Sequence, residues 1–590
     1  MLNVSPLSTI YTSHIGIAML KTLIKIIVIF MLSASSVCAE QLPGVIALLD
    51  KETSEKIESL LDSSGSHLAA LNGVPHVMFH DDIFNFYQQR EFLPIWMDGW
   101  QIKPEALELL EILRNAGAHG LCSNDYLLAD LEGLIRIQTD FSWYKLPMDS
   151  DNRAVLDLFL SQAFLTYATH MVEGQVDPAL AHVDWSARRR KADLVKLLEY
   201  AIGSHRVVQV LEDLAPPHEE YRQLMAALAN YQRIYALGGW PEIPAGPTIK
   251  PGDQDERLPQ IRTLLSLTGD FDMMIEPGPD YDPETYAAMR RFQARHGLVT
   301  DGVIGPKTLE NLNVPVEERI RQIELNLERW RWMPKSFGNR YVSINIADFS
   351  LEVVENGMTV MHMPVIVGTQ YRKTPVFSAR MTYLEFAPYW TVPPTILRED
   401  KLPQIKRNPA FLEEKHFRIV AWSDGETIID PQGIDWTKVT AANFPGMLRM
   451  DPGPWNPLGR VKFMFPNRYN VYLHDTNESY LFDKNVRPFS SGCIRIERPH
   501  DLADYLLEKG LGKARLKELF VATVPEKVPI NPIPVHIQYW TAWVDHDGLI
   551  NFRPDVYYRD LDLDIALTDP AYRVMDQLKV SAGTHLINFE

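Results

Sequence analysis

Pro488–Glu497 reads PFSSGCIRIE, a cysteine placed after two serines and a glycine and before an Ile-Arg-Ile alternation. If the segment is extended, Cys493, Arg495 and Glu497 share one face, while Ile494 and Ile496 face the core. A core cysteine would take the opposite phase. Gly492 allows a sharp backbone turn and a close approach to a ligand, which suits backbone N–H groups aimed at a developing oxyanion. The stretch therefore predicts a strand–turn–strand that presents Cys493 as a nucleophile.

A free thiol is only a few per cent ionised near neutrality and needs a base. Of the 17 histidines, His474 in VYLHDT is the best placed. It ends an alternating run in which Tyr472 and His474 share a face, and an 18-residue loop separates it from Cys493. Spacing alone does not pair them. Arg487, Arg495 and Arg498 add positive charge that favours a thiolate or receives a carboxylate, or else form a solvated surface.

Outward from this segment the residues change character. From Tyr341 the period is two, in YVSINIA, FSLEVVENG and TVMHMPVIVG, with Asn356-Gly357 as a hairpin turn. Residues 386–459 are rich in Pro and Trp (YWTVPPTI, DPGPWNPLG), too long for a passive connection, and read as a lid or an irregular insertion. Strands resume at RVKFMFPNRYNVYLHDT, a helix follows at HDLADYLLEKGLG, and PVHIQYWTAWVDHDGLINF carries the last strand signals.

The first half is helical. ALELLEILRNAGAHGL, RAVLDLFLSQAFLTYATHMVEG and EEYRQLMAALANYQRIYAL read as amphipathic helices, and a Pro/Gly-rich linker follows at Gly238–Gln254. A small helical unit over about Arg257–Val314 contains YDPETYAAMRRFQARHGLVTDGVIGPKTLENLN. Met19–Gln41, MLKTLIKIIVIFMLSASSVCAEQ, has the charged, apolar, small-residue order of a secretory signal. Residues 1–39 are read as that signal, with cleavage expected after Ala39 and Met19 as an alternative start. Left uncleaved, the segment would be the chain's one membrane contact.

Length and composition bound the answer. A chain of 590 residues exceeds one core and corresponds to about three or four domains. A net charge of −18 argues against nucleic acid as a partner. Three cysteines, Cys38, Cys122 and Cys493, make no disulfide framework, and Cys122 reads as a packing residue. No Cys/His pair recurs at zinc spacing and no Gly-rich phosphate loop is present, so neither metal nor cofactor is expected.

Two resemblances add to this reading. Phe292, Gln293, Gly297, Leu298, Asp301, Gly302, Gly305 and Thr308 match the hallmark of the peptidoglycan-binding domain of cell-wall enzymes. HDT…SSGCIR resembles the catalytic signature of the L,D-transpeptidase family (YkuD-type). Tyr472, PGPWNPLGRVKFMFPN, YQQREFLPIWMDG and HGLCSNDY are similar to its large multidomain, YcbB-like branch. Asp475 stands where Gly or Ser is common in smaller members, and Ser491 where His is frequent.

The resemblance implies a multidomain α+β architecture: a helical scaffold (40–250), a wall-binding module (255–315), a mainly β catalytic domain (338–530) with a capping insertion, and C-terminal strands and tail (531–590). It implies an exported, periplasmic enzyme that forms 3–3 cross-links between peptidoglycan stem peptides. Cys493 would be the nucleophile, His474 the general acid/base, and Ser491 and Gly492 backbone oxyanion donors. The Asp475 carbonyl would orient His474, with Arg495, Tyr472, Tyr389 and Trp390 contacting substrate. Cell-wall synthases and carboxypeptidases are the implied functional partners. A carboxypeptidase or cysteine peptidase acting on wall peptides would share the Cys/His pair, and a non-catalytic wall-binding scaffold would need neither residue.

Overall fold

The period-two segments close on themselves. In the computed structural model, which describes residues 42–62, 80–99, 101–140, 148–182, 184–186, 189–271, 278–507 and 512–569, eight strands of a ten-stranded sheet close into a ring. They are β1 (Arg340–Asn345), β2 (Ser350–Glu355), β3 (Met358–Gly368), β4 (Val376–Phe386), β5 (Val461–Met464), β6 (Leu473–His474), β7 (Ile494–Ile496) and β8 (Glu526–Gln538). Their order is β5-β6-β7-β3-β2-β1-β8-β4, and β4 pairs again with β5, which closes the barrel; Trp185–Ser186 pairs with β4 and Pro488–Ser490 with β3. β6 with β7 and β1 with β8 run parallel; the other neighbours are antiparallel. Asn356 and Gly357 both take positive φ (49° and 78°), as a type I′ hairpin turn requires.

β8 crosses the boundary expected between residues 530 and 531. Its second half pairs with both β1 and β4, so residues to Gln538 belong to the barrel. Pro529, Pro532 and Pro534 obscure the strand in the sequence, and the register with β4 shifts between Pro529 and Ile533 to accommodate them.

The insertion is not irregular. Strands Trp390–Thr391, Phe417–Val420, Ile428–Ile429 and Met447–Met450 form a separate four-stranded sheet. With its helices this sheet encloses its own apolar core, which includes Leu397, Leu402, Ile405, Ile419, Trp436 and Leu448. A segment with a core of its own can cap a site as a rigid piece.

The chain divides into two compact units, residues 1–175 with 190–217, and residues 176–189 with 218–590. In the first, helix Ser150–Glu173 is buried almost all round rather than amphipathic, because helices Leu42–Asp62, Pro104–Arg114, Leu128–Asp140 and Leu194–Gly203 surround it. Its buried Asp157 accepts hydrogen bonds from the Tyr87 hydroxyl (2.5 Å) and the amides of Ile95 (3.0 Å) and Trp96 (2.8 Å), which fixes the EFLPIW stretch.

Helix Glu219–Ala236 belongs to the second unit, so the scaffold span expected at 40–250 divides near residue 218. It packs on helix Val316–Arg331, which the sequence pattern hides behind charge. Arg329 and Arg331 of that helix are fully buried and paired with Asp560 (2.6 Å) and Glu328 (2.5 Å).

In the small helical unit the hallmark residues hold the fold. Gln293 Nε2 donates to Asp301 Oδ1 (3.1 Å) and the Val303 carbonyl (3.0 Å), and its Oε1 accepts from Gly302 N (2.7 Å). Phe292 is buried and Thr308 donates to the Val303 carbonyl (3.1 Å). Gly302 has φ +70°, and a Cβ there would strike the Tyr286 ring. Among the described residues no helix is long and apolar enough to cross a membrane. The expected signal, residues 1–39, lies outside the described residues.

Candidate active site

Parallel pairing of β6 with β7 builds the site. The register sets Leu473 against Ile494 and His474 against Arg495, and Ile494 N donates to the Tyr472 carbonyl (3.1 Å). Ile494 and Ile496 are fully buried, as their phase requires, and Cys493 and Arg495 lie on the opposite, partly open face. Tyr472, His474, Cys493 and Arg495 all line one cavity of about 670 Å³, whose other wall is the cap, including Trp390, Asp400, Lys401, Phe411, His416 and Phe417.

His474 is buried, and its Nδ1 lies 2.5 Å from the Asp475 carbonyl. A carbonyl only accepts, so the proton sits on Nδ1 and Nε2 keeps its lone pair. The Asp475 carboxylate serves elsewhere, accepting from the amides of Arg460 (2.7 Å) and Thr476 (2.7 Å). Gly459, with φ +59°, leaves room for that carboxylate.

Burial around the pair favours neutral groups. Burial first, then the Arg495 and Lys462 cations, push the His474 pKa down to about 3. Burial also raises the Cys493 thiol, against smaller opposing effects of Tyr472, Lys462 and Arg495. Lys462, His474 and Arg495 stand side by side across β5, β6 and β7. Each cation has its carboxylate, Lys462 with Glu385 (3.4 Å) and Arg495 with Glu478 (2.5 Å). The cavity is thus lined by a thiol and a neutral imidazole, burial outweighing the local cations. Arg487 instead donates to the carbonyls of Val365 (3.1 Å), Phe349 (2.9 Å) and Lys484 (2.7 Å), and Arg498 pairs with Glu497 (3.8 Å) and Asp501 (3.5 Å).

The turn before Cys493 is tightly held. Gly492 has φ +112°, which only glycine takes readily. Its N–H donates to Ser490 Oγ (3.1 Å), so the expected oxyanion donor at Gly492 is already engaged. Among the described residues no acceptor takes the amide hydrogens of Ser491 or Cys493. Thr374 Oγ1 donates to the Gly492 carbonyl (2.9 Å) and accepts from Gly368 N (2.9 Å). In a trans peptide the carbonyl and the following N–H point in opposite directions. Fixing the Gly492 carbonyl on Thr374 therefore turns the Cys493 N–H away from it.

The other expected contacts divide. Trp390 lines the cavity, whereas Tyr389 lies outside its lining with its ring stacked 4.0 Å under the Arg449 guanidinium. Arg495 is committed to Glu478 and to Thr476 Oγ1 (3.4 Å), which ties down the loop after His474. Tyr472 lines the cavity as well. Sequence reasoning missed Lys462, Thr374 and Arg372. Lys462 was readable from the alternation of VKFM once that strand is paired with His474. Thr374 and Arg372 sit in the loop GTQYRKTP, which carries no periodic signal.

The comparisons with known proteins follow the same division of the chain. Residues 339–530 match the family model "L,D-transpeptidase catalytic domain", residues 256–312 match "Putative peptidoglycan binding domain", and residues 81–228 match "Scaffold domain". A Haemophilus influenzae protein named "Putative L,D-transpeptidase" is 32% identical over 248 residues, 42% of this chain and 49% of that protein. The chain thus spans about half the length of the curated relative it matches.

Among solved structures, an L,D-transpeptidase (residues 123–326) from Xylanimonas cellulosilytica is 14% identical, with 50% of this chain and 99% of that chain covered and a TM-score of 0.15. A fused Zn-dependent amidase/peptidase/peptidoglycan-binding domain protein from Clostridium acetobutylicum is 11% identical, with 50% and 100% covered and a TM-score of 0.13. Scores this low add nothing to the barrel already described. Residues 339–530 carry an L,D-transpeptidase catalytic domain, and a peptidoglycan-binding domain at residues 256–312 precedes it in the chain.

Proposed function

We propose that this chain is a peptidoglycan L,D-transpeptidase of the cell envelope that makes 3–3 cross-links through a cysteine thioester. The observation that carries the reading is one cavity lined by Cys493, by an imidazole with Nε2 unprotonated, and by Ser491, whose amide hydrogen, like that of Cys493, has no acceptor among the described residues.

The thiol proton passes to His474 Nε2 as sulfur attacks the carbonyl that joins the position-three diamino acid to the terminal D-alanine. The Ser491 and Cys493 amides receive the oxyanion. Collapse breaks the C–N bond, the imidazolium protonates the departing amine, and a thioester remains. The side-chain amine of a second stem then attacks the thioester and gives a proton to His474. Collapse releases the sulfur, which recovers that proton. The neutral resting pair fits this cycle, because the imidazole must be free to accept at both attacks.

Incubation with purified stem tetrapeptides should release D-alanine and yield joined dimers. Shortened stems alone would mark a carboxypeptidase or peptidase, and no change would support a non-catalytic scaffold.

The loop geometry gives a second test. Thr374→Val removes the donor to the Gly492 carbonyl and leaves that turn free to rotate. The expected loss in kcat is up to about 10²–10³-fold with KM little changed, since one oxyanion donor is worth roughly 2.7–4 kcal/mol. Thr374→Ser, which keeps the hydroxyl, should recover most of it. Equal losses in both variants would mean that the side chain only packs.

A further inference from the structure

The cap contributes a cation that makes no ion pair among the described residues. Arg495 and Lys415 line the cavity with Lys401, and Arg372 and Lys462 stand beside it. Arg495 pairs with Glu478, Lys462 with Glu385, and Arg372 with Glu399 and Asp400. Lys415 is exposed to water. Lys401 is half-buried, and no carboxylate lies within ion-pair distance of it among the described residues.

Three rings seat its ammonium instead. Nζ lies 5.7 Å from the centre of the Trp390 ring, 6.0 Å from Phe411 and 5.8 Å from Phe417. Such a seat holds a cation in place but leaves its hydrogen-bonding capacity unused. Burial lowers the Lys401 pKa, a sign that its charge lacks full solvation. The neighbouring Asp400 opposes that shift through space but forms no ion pair with Lys401, because both of its oxygens are taken by Arg372 (2.8 and 2.9 Å).

The local backbone accounts for this separation. Leu397–Lys401 forms a single π-helical turn, a rare element that often marks functional sites. Its acidic residues Glu399 and Asp400 hold Arg372, whose Nη1 also donates to Ser491 Oγ (2.9 Å). The same turn that fastens the cap to the catalytic loop therefore sets Lys401 against the cavity that contains Cys493.

We propose that Lys401 is the carboxylate-binding residue of this cavity, receiving a free carboxylate of a stem peptide while the adjacent carbonyl is presented to Cys493. The inference rests on the proposed stem-peptide substrate. Two carboxylates have the required chemistry, that of the donor's terminal D-alanine and that beside the amine of the diamino acid.

The test is binding rather than turnover, so that its failure and the failure of the catalytic reading remain distinct. Isothermal titration of the full chain carrying Cys493→Ala would use a stem tetrapeptide with both carboxylates free and two forms, each with one carboxylate amidated. Adding Lys401→Met, which keeps an apolar stem on the three rings, should weaken binding of the free acid at least tenfold. The same substitution should change by less than twofold the affinity of whichever amidated form has lost the recognised carboxylate, and that form identifies the source. Lys401→Arg should retain affinity for the free acid, which separates lost charge from damaged folding. Unaltered affinity of the Lys401→Met protein for the free acid, an equal loss for all three peptides, or no binding of the free acid by the Cys493→Ala protein would overturn the proposal. Acylation of Cys493 by a carbapenem in the Lys401→Met protein reports on the cysteine chemistry separately.

Discussion

Replacing Cys493 by alanine is expected to lower D-alanine release from stem tetrapeptides by at least about 10⁴-fold, to the level left by binding and the oxyanion donors alone. The size of the effect follows from the chemistry, because no thioester forms without sulfur. Ser491, the adjacent nucleophilic side chain, cannot substitute. It is exposed, and its Oγ accepts a hydrogen bond from Arg372 (2.9 Å). The fold should tolerate the change, since among the described residues the half-buried thiol makes only a weak hydrogen bond, to the Asn470 carbonyl (3.8 Å). D-alanine release within tenfold of the parent protein, measured on material with an unaltered melting temperature, would remove Cys493 from the mechanism.

His474→Gln is expected to cost about 10²–10⁴-fold in kcat, the usual contribution of a positioned general base. The Asp475 carbonyl fixes the proton on Nδ1, so only Nε2 can accept from the thiol, and a glutamine amide accepts no proton. The pH dependence carries the sign. With His474 held near 3, the imidazole is already neutral above about pH 4 and should impose no acid limb between pH 5 and 7. With the thiol raised above its usual value, alkylation of Cys493 by iodoacetamide should still be climbing at pH 9. That alkylation profile should hardly change in His474→Gln, because a neutral imidazole does not stabilise a thiolate. A parent profile with a plateau near pH 6 that disappears in the variant would instead indicate a preformed thiolate–imidazolium pair.

The barrel was legible in the sequence wherever alternation was clean. Ile494 and Ile496 fixed the phase of β7, and Asn356-Gly357 fixed the first hairpin. β8 was readable only from Pro534 onward, because prolines interrupt its first half, although the barrel accommodates them at a register shift. Helix Val316–Arg331 was missed for the opposite reason. Buried arginines paired with Glu328 and Asp560 make a core helix read as a solvated one. At the site, residue types and phases were readable, but partners set by tertiary structure were not. Nothing in SSGC says that the Gly492 amide is spent on Ser490, or that Thr374, over a hundred residues earlier, anchors the Gly492 carbonyl. Arginines counted by their nearness to Cys493 overstate the local field. Arg487 and Arg498 turn to other partners, and Arg495 is neutralised by Glu478.

The most direct test of the account is the intact mass of the protein after exposure to a carbapenem, whose strained carbonyl traps an acyl-enzyme. The parent protein should gain the mass of one carbapenem, peptide mapping should locate it on Cys493, and Cys493→Ala should gain nothing. An adduct that persists in Cys493→Ala, or a parent protein that remains unmodified, would contradict the assignment of Cys493 as the acylated nucleophile.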